Sequence, residues 1–229
     1  MSGLYKILRD SLTLLKEKPV IFLPKLFSAL VGSLWFIGLV SGRISLLNLL
    51  LLFGPISIIG VLASLMVASM VKQGDISLKT SFYIALSKWR QSLLLIIAFS
   101  MMGFLISLPL SIGIYWYLIT GSSIILTSAA IITISLMFAF VFASYFIPIT
   151  ILEEKNFRSS IKESLKVSKS RPKEVTLLTL FSFLLLGLTT ASNEYLEALG
   201  YIGFLLGRLT SSIATTYIFV VSPKYYLEV

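Results

Sequence analysis

Six long apolar runs constrain this chain more than any other feature: Val20 to Val40, Leu46 to Val71, Leu93 to Leu118, Ile124 to Ile149, Val175 to Ala191 and Tyr201 to Ser222. Each is close to the roughly 20 residues that an α-helix needs to cross a hydrocarbon core about 30 Å thick. None alternates apolar with polar residues, so a membrane β-barrel does not fit; helices satisfy every backbone N–H and C=O within the segment and do fit. Composition agrees, with 57% hydrophobic and 13% charged residues among 229, against about 45–50% apolar in a soluble domain. The expectation is an all-α polytopic membrane protein with six transmembrane helices, residues 1–229 forming one integral membrane domain.

The connections between the runs carry the charge. Lys6, Arg9, Lys16 and Lys18 precede the first run, and Lys72, Lys79, Lys88 and Arg90 lie between the second and third. Seven more, from Lys155 to Lys173, lie between the fourth and fifth. The alternate connections hold Arg43, then no charge from Thr120 to Ser123, then Glu194 and Glu197. An excess of Lys/Arg on alternate loops marks the cytoplasmic side, which places both termini there in a multi-pass protein of the cell membrane. Tyr5 to Lys18 is charged and amphipathic, unlike the apolar core of a cleavable signal peptide.

Each basic segment also has helical spacing. Leu4, Leu8, Leu12 and Leu15 make one apolar stripe; Leu78, Phe82, Ala85, Leu86 and Trp89 make a second; Phe157, Ile161 and Leu165 make a third. Ser2, Asp75 and Asn156 are the expected N-caps. Pro19 and Pro172 stand where a surface helix would stop and a spanning helix begin, and Gln91 holds that place in the middle segment. Leu8 to Pro19, LRDSLTLLKEKP, aligns with Ile161 to Pro172, IKESLKVSKSRP. The chain therefore reads as three parallel repeats of an amphipathic surface helix plus a transmembrane hairpin, at about 1–71, 72–151 and 152–229. For the middle unit the match is Leu86, Lys88 and Arg90 with Leu14, Lys16 and Lys18. The basic residues expected to meet lipid head groups are Lys162, Lys166, Lys169, Arg171, Lys88, Arg90, Lys16 and Lys18.

The stretch Pro148 to Val175, PITILEEKNFRSSIKESLKVSKSRPKEV, ends one span, turns through acidic residues and leads along a Ser-Leu basic helix into the next span. In this it resembles a loose set of polytopic membrane families, including the membrane domain attached to some glycerophosphodiester phosphodiesterases. The resemblance implies a multi-pass membrane layout and no catalytic residue, because the hydrolase activity there belongs to a separate soluble domain.

Inside the runs, small residues recur every fourth position: Gly60, Ser64 and Ala68; Gly103, Ser107 and Ser111; Ser135, Ala139 and Ala143; Gly203, Gly207 and Ser211. Such stripes let helices approach closely, within the bundle or, through the sixth run, between two copies. Pro55 and Pro109 are expected to kink their helices. Lys25 lies about 7.5 Å from Val20 along a helix and is expected to snorkel to the cytoplasmic surface. Arg208 is deeper, and with Glu194 and Glu197 in the preceding connection it forms the candidate intramembrane polar site, either a structural anchor or a ligand contact.

The sequence contains no Cys and no His, so disulfides, His/Cys metal sites and Ser/His hydrolase chemistry are excluded. No GxxxxGK[ST] loop is present. The only adjacent acidic pair, Glu153 and Glu154, points about 100° apart on a helix and cannot serve as a facing acid and base. The net charge of +9 lies beside apolar spans, where anionic lipid accounts for it and nucleic acid does not. The expectation is a non-enzymatic protein without cofactor. Its basic helices would contact the anionic leaflet, and it would organise lipids, a membrane protein partner or a second copy. The other reading is a permease or lipid-translocating protein for an anionic or amphipathic substrate.

The charge asymmetry makes a topological prediction. Cysteines placed at Ser123 and Ser192 will react with an impermeant thiol reagent added outside intact cells, and one at Ser168 will not. Labelling at Ser168 alone would invert the orientation.

Overall fold

The apolar runs and the basic segments between them are helical in the computed structural model, which describes residues 2–40, 46–74, 77–153, 156–197 and 199–228. In chain order the elements are α1 (Ser2–Glu17), a 3₁₀ turn (Pro19–Phe22), α2 (Leu23–Val40), α3 (Leu46–Gln73) and α4 (Leu78–Ser87). There follow α5 (Trp89–Thr120), α6 (Ser123–Ser144), α7 (Ile147–Glu153), α8 (Phe157–Ser170), α9 (Pro172–Glu197) and α10 (Gly200–Glu228). Among the described residues five segments are long and apolar enough to cross a membrane: Pro55–Gln73, Trp89–Thr120, Ser123–Glu153, Pro172–Leu196 and Gly200–Glu228. Pro19–Leu34 is a shorter apolar stretch. The consecutive pairs α2/α3, α5/α6 and α9/α10 pack side by side.

Pro19 opens the 3₁₀ turn after α1, and Pro172 is the first residue of α9, one residue beyond Arg171 at the end of α8. The middle junction falls at Lys88, shared between α4 and α5, three residues before Gln91. The N-cap of α4 is Ser77, whose Oγ accepts from the Thr80 N–H at 3.3 Å; Asp75, the expected cap, lies outside the described residues. Asn156 holds the N-cap position of α8 with extended backbone, yet its side chain makes no capping bond.

Three apolar clusters fill the end of the bundle where α1, α4, α7 and α8 gather, called here the basic end. Ile7, Tyr145, Phe146, Ile149, Val175, Leu178, Val221 and Tyr225 form the first. Leu15, Ile21, Val67, Met70 and Val220 form the second, and Leu65, Ala85, Leu95, Ile147 and Ile151 the third. Side chains farther along α5 and α6, such as Phe104, Leu118, Ile124 and Ile134, are exposed, as suits helices that face lipid.

The fourth apolar run is broken. α6 stops at Ser144 and α7 begins at Ile147, because Pro148 has no N–H for the Ser144 carbonyl and its ring crowds that carbonyl. The freed backbone groups are taken up by serines from other helices. Ser168 Oγ donates to the Phe142 carbonyl at 2.8 Å, Ser164 Oγ to Ala143 at 2.9 Å, and Ser222 Oγ of α10 to Tyr145 at 2.6 Å. Ser164 also accepts from the Phe146 N–H at 3.3 Å. Thr150 and Ser160 exchange hydroxyl-to-carbonyl bonds at 3.0 and 3.3 Å. The helices α3 and α5 run on through Pro55 and Pro109, so the expected kinks there leave continuous helices.

This arrangement revises the orientation of the surface helices. α8 turns Ser160, Ser164 and Ser168 into the bundle, all fully buried, whereas Ile161 of its expected apolar stripe is exposed. α4 likewise buries Ser81, with Ala85 of its expected stripe, and leaves Phe82 and Leu86 exposed, as is Trp89 at the start of α5. A small hydroxyl face lets a helix come close and donate to a neighbour's backbone, which a leucine face cannot do.

The small-residue stripes are used unequally. A Cβ on Gly203 would lie 1.6 Å from the Leu196 carbonyl oxygen, and one on Gly207 would lie 2.9 Å from Asn193 Oδ1. That face of α10 is thus occupied by α9 within the chain. In α5 the close approach is at Gly113, where a Cβ would meet Ala129 Cβ at 2.3 Å; at Gly103 there is open space.

Ser164→Ala should destabilise the protein by about 1–3 kcal/mol, since a buried carbonyl and a buried N–H lose their partner together, whereas Ser159→Ala, whose hydroxyl bonds only its own helix, should change stability by less than about 0.5 kcal/mol. Thermal melts in detergent will rank the two. Because Ser168 is buried, a label there would be silent for steric reasons, and exposed Ser170 is the position that reports the side of the membrane.

Candidate functional site

Beneath the packed basic end lies a cavity of about 230 Å³ between α3, α5, α6, α9 and α10. Val61, Leu65, Leu95, Phe99, Val141, Ile147, Leu186 and Phe219 make most of its wall, and the broken helix contributes Ser144, Tyr145 and Pro148. Its hydroxyl groups are committed elsewhere. Ser144 donates to the Phe140 carbonyl at 2.7 Å, Ser182 to Leu178 at 2.8 Å and Thr215 to Ser211 at 2.8 Å. The interior is therefore an apolar surface.

Lys25 of α2 does not line this space but touches two residues that do. Its Nζ donates to Ser64 Oγ at 2.5 Å and lies over the Phe219 ring, 3.7 Å from the centroid; Ser64 and Phe219 both line the cavity. The expected snorkelling is not what the side chain does. One turn earlier, Ile21 packs fully buried with Val67, Met70 and Val220, which fills the route toward the basic end. Among the described residues no carboxylate pairs with Lys25; the ion pairs seen are Lys72–Glu153 at 3.1 Å, Lys166–Glu163 at 3.3 Å and Arg171–Glu174 at 3.8 Å.

Arg208 lines a second groove, of about 360 Å³, with Ser33, Ser211, Ser212 and Thr215 between α2, α3 and α10. Its guanidinium is 4.7 Å from the centroid of the Phe204 ring. Glu194 is exposed in the last turn of α9, and the side chain of Glu197 lies outside the described residues. The residue that ties these helices together is Asn193, whose amide meets Ser211 Oγ at 2.7 Å against Gly207. An amide two residues past the fifth apolar run, seven residues before Gly200, was the available signal for it.

The candidate head-group contacts all gather at the basic end. Lys16, Lys18, Arg90, Lys162, Lys166, Lys169 and Arg171 are exposed and Lys88 is half-buried. Lys18 Nζ donates to the Gly74 carbonyl at 3.1 Å, and Arg90 lies 5.5 Å from the Trp89 ring centroid. Tyr217 Oη donates to the Leu8 carbonyl at 2.9 Å, and Tyr225 Oη donates to Glu174, fastening α10 to α1 and α9. Among the described residues no group of three His, Cys, Asp or Glu could hold a metal ion.

Comparison with family models, with curated proteins and with solved structures finds no match to this chain.

The inward lysine predicts an asymmetric pair of variants. In neutral detergent Ser64→Ala will lower the melting temperature, by the equivalent of about 1–3 kcal/mol, because it strips a half-buried ammonium of its hydrogen bond. Lys25→Met will leave the melting temperature unchanged or raise it, since it removes a charge that is costly to keep out of water. A lysine that snorkels would make Ser64→Ala harmless.

Proposed function

We propose that this chain is a non-enzymatic multi-pass protein of the cell membrane whose basic end, on the cytoplasmic side, holds anionic lipid head groups and so organises lipid around the bundle or around a partner. One observation carries this reading. With its serine face turned into the bundle, α8 leaves Lys162, Lys166, Lys169 and Arg171 all exposed, and each basic side chain near an anionic surface gains about 1 kcal/mol. Phe82 and Leu86 on α4 and Trp89 at the start of α5, exposed beside Lys79 and Arg90, form the apolar and aromatic surface that suits the head-group layer.

The six-span layout of three repeats belongs to the same proposal. Ile7, Ser11 and Leu15 of α1 stand in register with Ser160, Ser164 and Ser168 of α8, and all are buried, which supports units one and three as relatives. In the register that matches Leu86 with Leu14, Tyr83 takes the place of Ser11 and is exposed, so the middle unit gains no such support. The resemblance of Pro148 to Val175 to phosphodiesterase-attached membrane domains fits a module with no catalytic residue of its own.

The Arg208 groove favours a second reading, translocation of an anionic or amphipathic substrate. Both readings are tested on the full chain in lipid nanodiscs. Anionic phospholipid will be retained over phosphatidylcholine, the preference will fall as salt rises, and replacing Lys162, Lys166, Lys169 and Arg171 with Gln will abolish most of it. Equal retention of both lipids would remove the first reading, and liposome flux or scrambling lost in Arg208→Ala would establish the second.

A further inference from the structure

We propose that the cavity and Lys25 together bind one anionic amphiphile, with its carboxylate or phosphate on the Lys25 ammonium and the start of its acyl chain in the apolar space. This is a buried site, separate from the exposed basic face, and it does not depend on that face's role.

The charge defines the head group. An ammonium has three donors, and among the described residues Lys25 uses one of them, on Ser64. The Phe219 ring offers its face, which attracts the cation but accepts no strong hydrogen bond. The remaining donors and the uncompensated charge are what an oxyanion satisfies, because charge-assisted bonds to carboxylate or phosphate are about twice as strong as neutral ones. A partly buried charge that no carboxylate pairs with among the described residues is costly, and a bound anion offsets that cost.

The cavity defines the tail. Its hydroxyls donate to helix carbonyls, so it offers little to a polar ligand or to water, which needs two to four polar partners. Hydrocarbon loses nothing there. The head and tail sites adjoin because Ser64 and Phe219 belong to both. Entry is lateral: Phe99 and Leu186 line the cavity and are each 36% exposed, on helices whose outer faces are apolar, whereas the basic end is filled by the three clusters. A ligand would come from the membrane itself, which is where single-chain amphiphiles reside.

The full-length protein in a neutral sugar detergent is titrated with oleate and with 1-oleoyl lysophosphatidate, and in parallel with oleyl alcohol and 1-oleoyl lysophosphatidylcholine, with bound ligand counted by native mass spectrometry. One saturable equivalent of each anion is expected, at least tenfold tighter than the uncharged or zwitterionic probes. Whichever of the two anions binds more tightly identifies the head group. Lys25→Met will lose that tenfold, Lys25→Arg will keep most of it, and Leu186→Trp, which narrows the mouth, will weaken all four probes. The variant with Lys162, Lys166, Lys169 and Arg171 changed to Gln will bind as the unmodified chain does, which separates this site from surface attraction. Equal affinity for oleate and oleyl alcohol in the unmodified chain, undiminished binding in Lys25→Met, or no saturable site for any probe would each overturn the proposal. The first and third of these outcomes need no variant to fold.

Discussion

A backbone carbonyl released inside a membrane protein must find a donor from the protein itself, since hydrocarbon supplies none and each orphan costs several kcal/mol. In this chain that requirement is concentrated at Pro148, which interrupts the fourth apolar run. The carbonyls of Phe142, Ala143 and Tyr145 are bonded by Ser168, Ser164 and Ser222. These bonds bring α8 onto the break and tie it to α10. Without them the break would be an unsatisfied end, and α8 would have no reason to present serine inward.

Several features of the basic end follow from that docking. α7, only seven residues long, is buried along Ile147, Ile149, Thr150 and Ile151, and it adds Ile147 and Ile151 to the cluster that holds Leu65, Ala85 and Leu95. The ion pair Lys72–Glu153 closes the junction of α3 and α7 from outside. Packing is thus tightest where the basic segments meet, and the apolar cavity begins just beyond it, bounded by the same broken helix. The fold sets an exposed cationic face at one end and an apolar internal space next to it, separated by three apolar clusters.

Lys25 is the exception to this division. Lys88 and Arg208 are half-buried as Lys25 is, but they lie at a helix junction and in a groove. Lys25 turns toward Ser64 and Phe219 because the alternative direction is filled by Ile21, Val67, Met70 and Val220. A cation–π contact is worth up to about 2 kcal/mol when desolvated, less than the several kcal/mol lost on removing an ammonium from water. That imbalance is the physical content of the proposed anion site.

The sequence by itself determined the all-helical membrane class, the alternation of basic and neutral connections and the proline-marked junctions at Pro19 and Pro172, because these depend on local run length, charge and φ restriction. It also determined what chemistry is absent, since a chain lacking His and Cys has no such ligands to place. Only the tertiary structure decided which face of each basic helix is buried. The spacing of Ile161 and Leu165 and that of Ser160, Ser164 and Ser168 are equally helical, and the serine face wins because its neighbours offer free carbonyls. The same holds for Lys25, whose direction depends on residues some forty and two hundred positions away, at Ser64 and Phe219. Small-residue stripes were legible as stripes, yet Gly203 is covered by α9 and Gly103 by nothing. A periodic pattern names a face, and only the neighbouring helix determines whether that face is used.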